Sequence, residues 1–342
     1  MSDQTVSPPI IALFPVTYST LSTSALLTDV LARYDIGDPA ECRFFSRGVN
    51  DTYEVRTAGG AGFFLRVYRA GYRSFDEVGY EVDALNHLHR NGAAVARPVA
   101  CRDDRFIQIL SAPEGARYAV LFTLAPGWKP SYDKDPESKA FSYGRAVARL
   151  HLAARDFAGR HVRFRIDLDH LLGTPLQTIE PFLAHRGEDW AYVLRFAGEL
   201  RSRIEALPAS ELEQGLCHGD LQGYHHHIAA DGTATFFDFD FCGFGYRAYD
   251  LAVFRWCARL SNKENVWWEP YLRGYQEERR LNDIDVRAIP LFVGARYIWH
   301  MGLHTANHRD WGCGWLDDDY FDKAIQNLRA VASDYMQGFE QK

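Results

Sequence analysis

Residues 218–228 read HGDLQGYHHHI. An aspartate beside a glycine opens a short loop that closes on three consecutive histidines, and the reading of this stretch decides what the chain builds. Three adjacent histidines do not make one metal centre. On a strand His225 and His227 point one way and His226 the other, whereas zinc needs ligands that converge. This places His226 and His227 among partly exposed strand residues. A second half of the pattern lies at residues 236–252, FFDFDFCGFGYRAYDLA. Asp220 and Asp238 stand 18 residues apart, each at the edge of an apolar segment, with the turn pair Asp231-Gly232 between them. A hairpin across that turn brings both carboxylates to one end of a small sheet. Two facing acids suit metal–phosphate chemistry.

Outward from this stretch the chain changes character once. After a Pro-containing tail over 1–20, residues 19–37 supply Ser and Thr caps, apolar Leu26, Leu27, Val30 and Leu31, and the stop residue Gly37, which predicts a helix. The β-branched and aromatic runs over 42–57 and 62–71, separated by a Gly/Ala turn, predict a hairpin. Val78, Val82, Leu85 and Leu88 before Asn91-Gly92 predict a capped helix, and two more strand-like runs follow. Beyond Ala125-Pro126-Gly127 the pattern is mainly helical, from the stripe Tyr143, Val147, Leu150, Ala154 to the stripe Phe321, Ile325, Leu328, Ala332, Tyr335. The reading is an α+β chain of two lobes: a small sheet lobe over 21–124 and a larger, mostly helical lobe over 125–342.

Composition excludes several classes. Of 342 residues 47% are hydrophobic and 24% charged, and no run approaches the roughly 18 apolar residues of a membrane span. The first 16 residues carry no basic segment ahead of an apolar one, so no secretory signal is expected. Six scattered cysteines without a CxxC pair argue against a disulfide framework and for reduced thiols in the cytoplasm. A net charge of −7 without a Lys/Arg block speaks against nucleic acid as partner. A small molecule is the expected partner, and oligomeric state is not legible.

His218-Gly219-Asp220, four residues, then His225, and after a hairpin Asp238-Phe239-Asp240, follow the order of a kinase catalytic loop, His-x-Asp-x4-Asn, and its metal-binding Asp-Phe-Gly. With the helix GRAVARLH before the loop and AYDLA after it, the chain resembles the aminoglycoside phosphotransferase family. That kinase-like group includes type II homoserine kinases, choline kinases and macrolide kinases. The resemblance covers about Arg47 to Leu260 and implies a two-lobed protein-kinase-like fold, ATP with Mg²⁺ or Mn²⁺, and transfer of the γ-phosphate to a hydroxyl of a small molecule.

Carried over residue by residue, the resemblance makes Asp220 the catalytic base, Asp238 the principal metal ligand and Asp250 a brace for the loop backbone. His225 stands where the second metal ligand, an Asn, is usual, as it does in macrolide kinases. Imidazole suits Mn²⁺ better than Mg²⁺. His218 reads as a packing residue, and Asp240 as either an outer acid or a structural one. Arg66 occupies the place of the strand lysine that contacts ATP phosphates, Glu81 is its expected helix partner, and Asn50 lies in the loop SRGVNDTY over the phosphates. The paired exchanges Arg66 and His225 leave open a nucleotide-sensing module without transfer, and nucleotidyl transfer on the same fold. For the acceptor, Trp267, Trp268, Trp299, Trp311 and Trp315 with Asp317, Asp318 and Asp319 suggest an aromatic, acidic pocket for a cation, against the plainer reading of core aromatics and a helix start.

Overall fold

The structure is a computed structural model that describes residues 14–132 and 134–339. Of the expected tail over 1–20, residues 1–13 lie outside that range. The described chain forms two compact units, one running through Ser74 with Val99–Leu121, the other comprising Phe75–Pro98 and the chain from Phe122 onward. The helix read from Val78 to Leu88 therefore belongs to the second unit.

In the first unit the expected opening helix is one α turn, α1 (Thr23–Ala25), continued as a π turn over Leu26–Val30 and a 3₁₀ turn over Leu31–Arg33. Leu26, Val30 and Leu31 bury against Tyr34, Tyr53, Val55, Leu65 and Val67. The strands are β1 (Pro39–Arg47), β2 (Asp51–Thr57), β3 (Gly62–Val67), β4 (Pro98–Val99), β5 (Gln108–Ala112) and β6 (Gly115–Thr123), ordered β1-β2-β3-β6-β4 with β5 on β6. Residues 42–57, read as a single β segment, reverse at Gly48-Val49-Asn50. Gly48 N–H donates to the Asn50 carbonyl at 3.1 Å, and the Asn50 side-chain oxygen accepts Arg69 N–H at 3.1 Å.

The second unit adds helices α2 (Phe75–Arg90), α3 (Pro136–Ala153), α4 (Thr174–Leu183), α5 (Gly187–Glu205), α6 (Arg247–Leu260), α7 (Glu264–Glu278), α8 (Asp283–Ala306), α9 (His308–Trp311) and α10 (Asp318–Tyr335). Its strands are β7 (Arg165–Ile166), β8 (Gln214–Cys217), β9 (His226–Ile228), β10 (Ala234–Phe236) and β11 (Gly243–Tyr246). They form a β7-β11-β8 sheet and the antiparallel β9-β10 hairpin. Gly127 anchors that hairpin: at φ +90° its backbone runs so close that a Cβ would stand 2.0 Å from the Ile228 carbonyl, and Trp128 exchanges both backbone bonds with Ile228 at 3.1 and 2.9 Å. Among the described residues no helix is long and apolar enough to cross a membrane.

Of the five tryptophans of the expected acceptor pocket, Trp311 and Trp315 lie around the His304 ring, at 6.2 and 4.9 Å. Trp267 and Trp268 are buried and stack in the core with Tyr132 and Tyr271 at 4.7 and 5.8 Å. Trp299 packs edge-on against Phe241, and Trp315 against His304. Two of the three acids are engaged. Asp317 caps α10 by accepting Tyr320 N–H at 3.0 Å, and Asp318 pairs with Arg186 and His185. Trp267, Trp268 and Asp317 follow the plainer reading, whereas Trp315 is 39% exposed.

Candidate active site

Strand β8 pairs with β11 in the register Cys217↔Gly243 and delivers the loop that follows. Gly219 has φ +81°, and a Cβ there would lie 2.2 Å from the Phe241 carbonyl, so only glycine lets the loop turn. The freed N–H groups of His218 and Gly219 both donate to the Asp250 carboxylate of α6, each at 2.7 Å. Asp250 is fully buried. Its carboxylate also accepts from His151 Nε2 at 3.1 Å, while His151 Nδ1 lies 2.8 Å from the Tyr275 hydroxyl. Burial pushes His151 down to about 4, against the pull of Asp250, so it is a neutral donor at pH 7. Burial pushes Asp250 up, but its hydrogen bond from His151 and its other partners prevail and hold it below the usual carboxylate range. The bracing role read from AYDLA is thus built from three donors.

His218 is the packing residue that the sequence suggested. Its Nε2 donates to the Phe237 carbonyl at 3.0 Å and its Nδ1 accepts Asp220 N–H at 3.2 Å. The ring lies 4.3 Å from Phe239.

Asp220 is buried and its two oxygens differ. Oδ1 pairs with Arg296 Nη2 from α8. Oδ2 accepts Gln222 Nε2–H at 3.1 Å and lies 3.4 Å from His225 Nδ1. Burial favours the protonated acid, yet Arg296, His225 and His218 outweigh it, so the carboxyl is held low and charged. Asp238 follows the β9-β10 hairpin in the left-handed region, φ +66° and ψ 57°, a conformation uncommon for a residue other than glycine. Its side chain is 42% exposed.

His225 stands between the two acids. Its Nδ1 donates to the Asp220 backbone carbonyl at 2.9 Å, which leaves the Nε2 lone pair 3.3 Å from Gln222 Nε2 and 3.7 Å from Asp238 Oδ2. An imidazole that donates one nitrogen to a carbonyl and turns the other lone pair toward a carboxylate is oriented as metal-binding histidines are. Among the described residues no three His, Cys, Asp or Glu side chains form a complete metal cage. Two protein donors with the rest supplied by phosphate oxygens and water is the usual way a nucleotide-bound Mg²⁺ is held, so the residues present fit such a metal.

The other candidates lie on separate elements. Arg66 lies on β3 opposite Thr52, Asn50 is buried and spends its side-chain oxygen on Arg69, and Glu81 is buried on α2. Arg66 and Asn50 belong to the first unit, Glu81 to the second. Asp240 is buried beside Arg163, whose guanidinium also donates to the Asp240 carbonyl. His226 corrects the expectation of an exposed strand residue: it is 1% exposed and stacked 4.5 Å from Tyr143. His227 Nδ1 donates to the Ala125 carbonyl at 3.0 Å. Arg296 was missed, although its signal was present as the lone charge in the apolar run 288–302.

Residues 41–284 match the phosphotransferase enzyme family. A Deinococcus radiodurans protein described only as uncharacterized is 36% identical over 92% of this chain and 91% of its own length. The homoserine kinase of Rhodopseudomonas palustris is 29% identical over 78% of this chain and 79% of its own. Among solved structures, the microcompartment-associated aminopropanol kinase superposes with a TM-score of 0.72 at 25% identity, covering 92% of this chain and 98% of that one. The fold is therefore the two-lobed, protein-kinase-like α+β fold of small-molecule kinases, and the chain belongs to the phosphotransferase enzyme family.

Proposed function

We propose that the protein is an ATP-dependent O-phosphotransferase that moves the γ-phosphate of ATP to a hydroxyl of a small molecule. The observation that carries this reading is the asymmetric Asp220: a buried, charged carboxylate with Oδ1 engaged by a cation and Oδ2 turned toward the His225–Asp238 side. A charged carboxylate oxygen fixed in a loop can orient a hydroxyl and accept its proton, and for a general base geometry comes before pKa. Asp220 Oδ2 orients the acceptor hydroxyl and takes its proton as the new O–P bond forms and the bond to ADP breaks. Asp238 and His225 hold the divalent metal, which when bound offsets charge on the phosphates. Arg66 contacts phosphate oxygens through its guanidinium, Glu81 orients Arg66, and Asn50 shapes the loop over the phosphates.

The test is a panel of hydroxylated compounds, amino alcohols and sugars included, incubated with ATP and metal while ADP and a phosphorylated product are followed by mass spectrometry. ADP appearing with a product heavier than the acceptor by the mass of one phosphoryl group supports the reading; nucleotide binding without any product across the panel sinks it.

His225 supplies a separate prediction. With an imidazole ligand, Mn²⁺ serves at least as well as Mg²⁺, and His225→Asn shifts the ratio of the two activities toward Mg²⁺ on the order of tenfold while the enzyme stays active. The amide oxygen restores a hard ligand. Parallel metal titrations of both proteins check this, and equal preference in the two removes His225 from the metal site.

A further inference from the structure

Arg296 makes an unusual use of a buried cation. It sits in the middle of α8 at 2% exposure, with the guanidinium carbon 4.3 Å from the ring centre of Trp299 and 4.8 Å from that of Trp256. One arm, Nη2, reaches Asp220 Oδ1. The other, Nη1, donates to the Gly219 carbonyl and meets the Tyr249 hydroxyl, each at 3.2 Å. Nε has no hydrogen-bond partner among the described residues. A buried guanidinium carries a desolvation cost that an apolar side chain of similar size avoids, and an unpaired Nε adds to it. Fold stability alone is a poor account of such a residue. Its two arms grip the catalytic loop at consecutive residues, Gly219 through the backbone and Asp220 through the carboxylate, and this fixes the rotation of the carboxylate about its own axis. With Oδ1 held, Oδ2 is the oxygen left toward Gln222 and His225.

Resting on the phosphotransfer reading above, we propose that Arg296 is a positioning residue that locks the Asp220 carboxylate with Oδ2 presented to the acceptor hydroxyl. Reactions of this type depend on alignment, and a misplacement near 1 Å costs about 100-fold in rate. Arg296 touches the base and not the acceptor. Its removal therefore slows the chemical step.

The experiment compares wild type, Arg296→Ala and Arg296→Lys for kcat and for the KM of ATP, with folding checked by circular dichroism and thermal melting. Arg296→Ala should lower kcat about 100-fold with the KM of ATP within a few-fold of wild type, the signature of an interaction used only in the transition state. Millimolar guanidinium should restore part of that kcat, because the vacated space between Trp256 and Trp299 suits a planar cation, whereas sodium chloride at equal ionic strength and urea should not. Arg296→Lys keeps a cation but not the two-armed grip, so it should fold even where the alanine protein does not and should show a smaller loss of kcat with the KM of ATP unchanged. Wild-type kcat in either folded variant, losses that fall on the KM of ATP, or a folded alanine protein deaf to guanidinium overturns the proposal. Asp220→Asn separates the two readings. If it is inactive while the Arg296 variants match wild type, only the positioning role falls; if wild type itself forms no phosphorylated product, the phosphotransfer reading falls and takes this one with it.

Discussion

Asp220→Asn lowers kcat by about three orders of magnitude, the middle of the span expected for loss of a general base, while ATP affinity stays within a few-fold of wild type. The substitution keeps the size and shape of the side chain. What it loses is the charge, and with it the ability to take a proton. The amide oxygen still accepts from Arg296, so the loop keeps its grip, and the group left toward Gln222 and His225 is then the NH₂, an N–H donor. An N–H aimed at the acceptor repels the hydroxyl proton that the carboxylate attracts. Nucleotide affinity is spared because the metal ligands in the proposed mechanism are Asp238 and His225, and neither changes. Single-turnover kinetics with saturating ATP, paired with calorimetric ATP binding, separate these effects. An Asp220→Asn protein with wild-type turnover, or one that loses ATP binding in proportion to activity, removes Asp220 from the role of base.

Much of this site was legible because its signals are local. The order His218, Asp220, His225, Asp238 and Asp250 sits within 33 residues, and Asp231-Gly232 announces the hairpin that sets Asp238 after it. The α2 helix was legible for the same reason, since its apolar stripe and its Gly92 stop are both read within one window. The long-range half of the site was not legible. Arg296 meets Asp220 across 76 residues, and His151 meets Asp250 across 99. No period or spacing encodes such pairs. The misreading of His226 has a related cause. Alternation along β9 correctly sends it to the face opposite His227, but which face is buried depends on Tyr143 of α3 stacking against it, and a neutral imidazole accepts that burial as an ordinary aromatic ring would. Its ring is pushed down to about 3 by burial. Trp267, Trp268 and Trp299 are buried because large apolar side chains on helices α7 and α8 contribute more by filling the core than by lining a cleft.

The second large effect concerns stability. Asp250→Ala removes the single acceptor of two loop N–H groups and of His151, leaving three buried donors unpaired, and should cost about 3–5 kcal/mol at pH 7. Asp250→Asn should cost nearly as much, because its NH₂ turns a donor toward a donor. The pH dependence of the wild type follows from the histidine in the same network. His151 titrates near 6.5 when unfolded and at about 4 when folded, because burial disfavours its cation. Below 6.5 the unfolded chain therefore binds a proton that the folded chain refuses. Stability is fully present above pH 6.5 and falls as pH drops toward 4, with a slope near one proton from this residue, and His226, buried likewise, adds to the slope. Asp250 itself is held below its ordinary value, so its contribution persists through that window and is lost only at lower pH. Urea unfolding of wild type, Asp250→Ala and His151→Gln at pH 7.5 and 5 reads both effects. Asp250→Ala should be far less stable at both pH values, and His151→Gln should lose less stability than wild type between them. An Asp250→Ala protein within about 1 kcal/mol of wild type at pH 7.5, the worth of one ordinary hydrogen bond, would show that the catalytic loop keeps its shape without its brace, and an unchanged slope in His151→Gln would show that the buried imidazole takes up its proton without unfolding the protein.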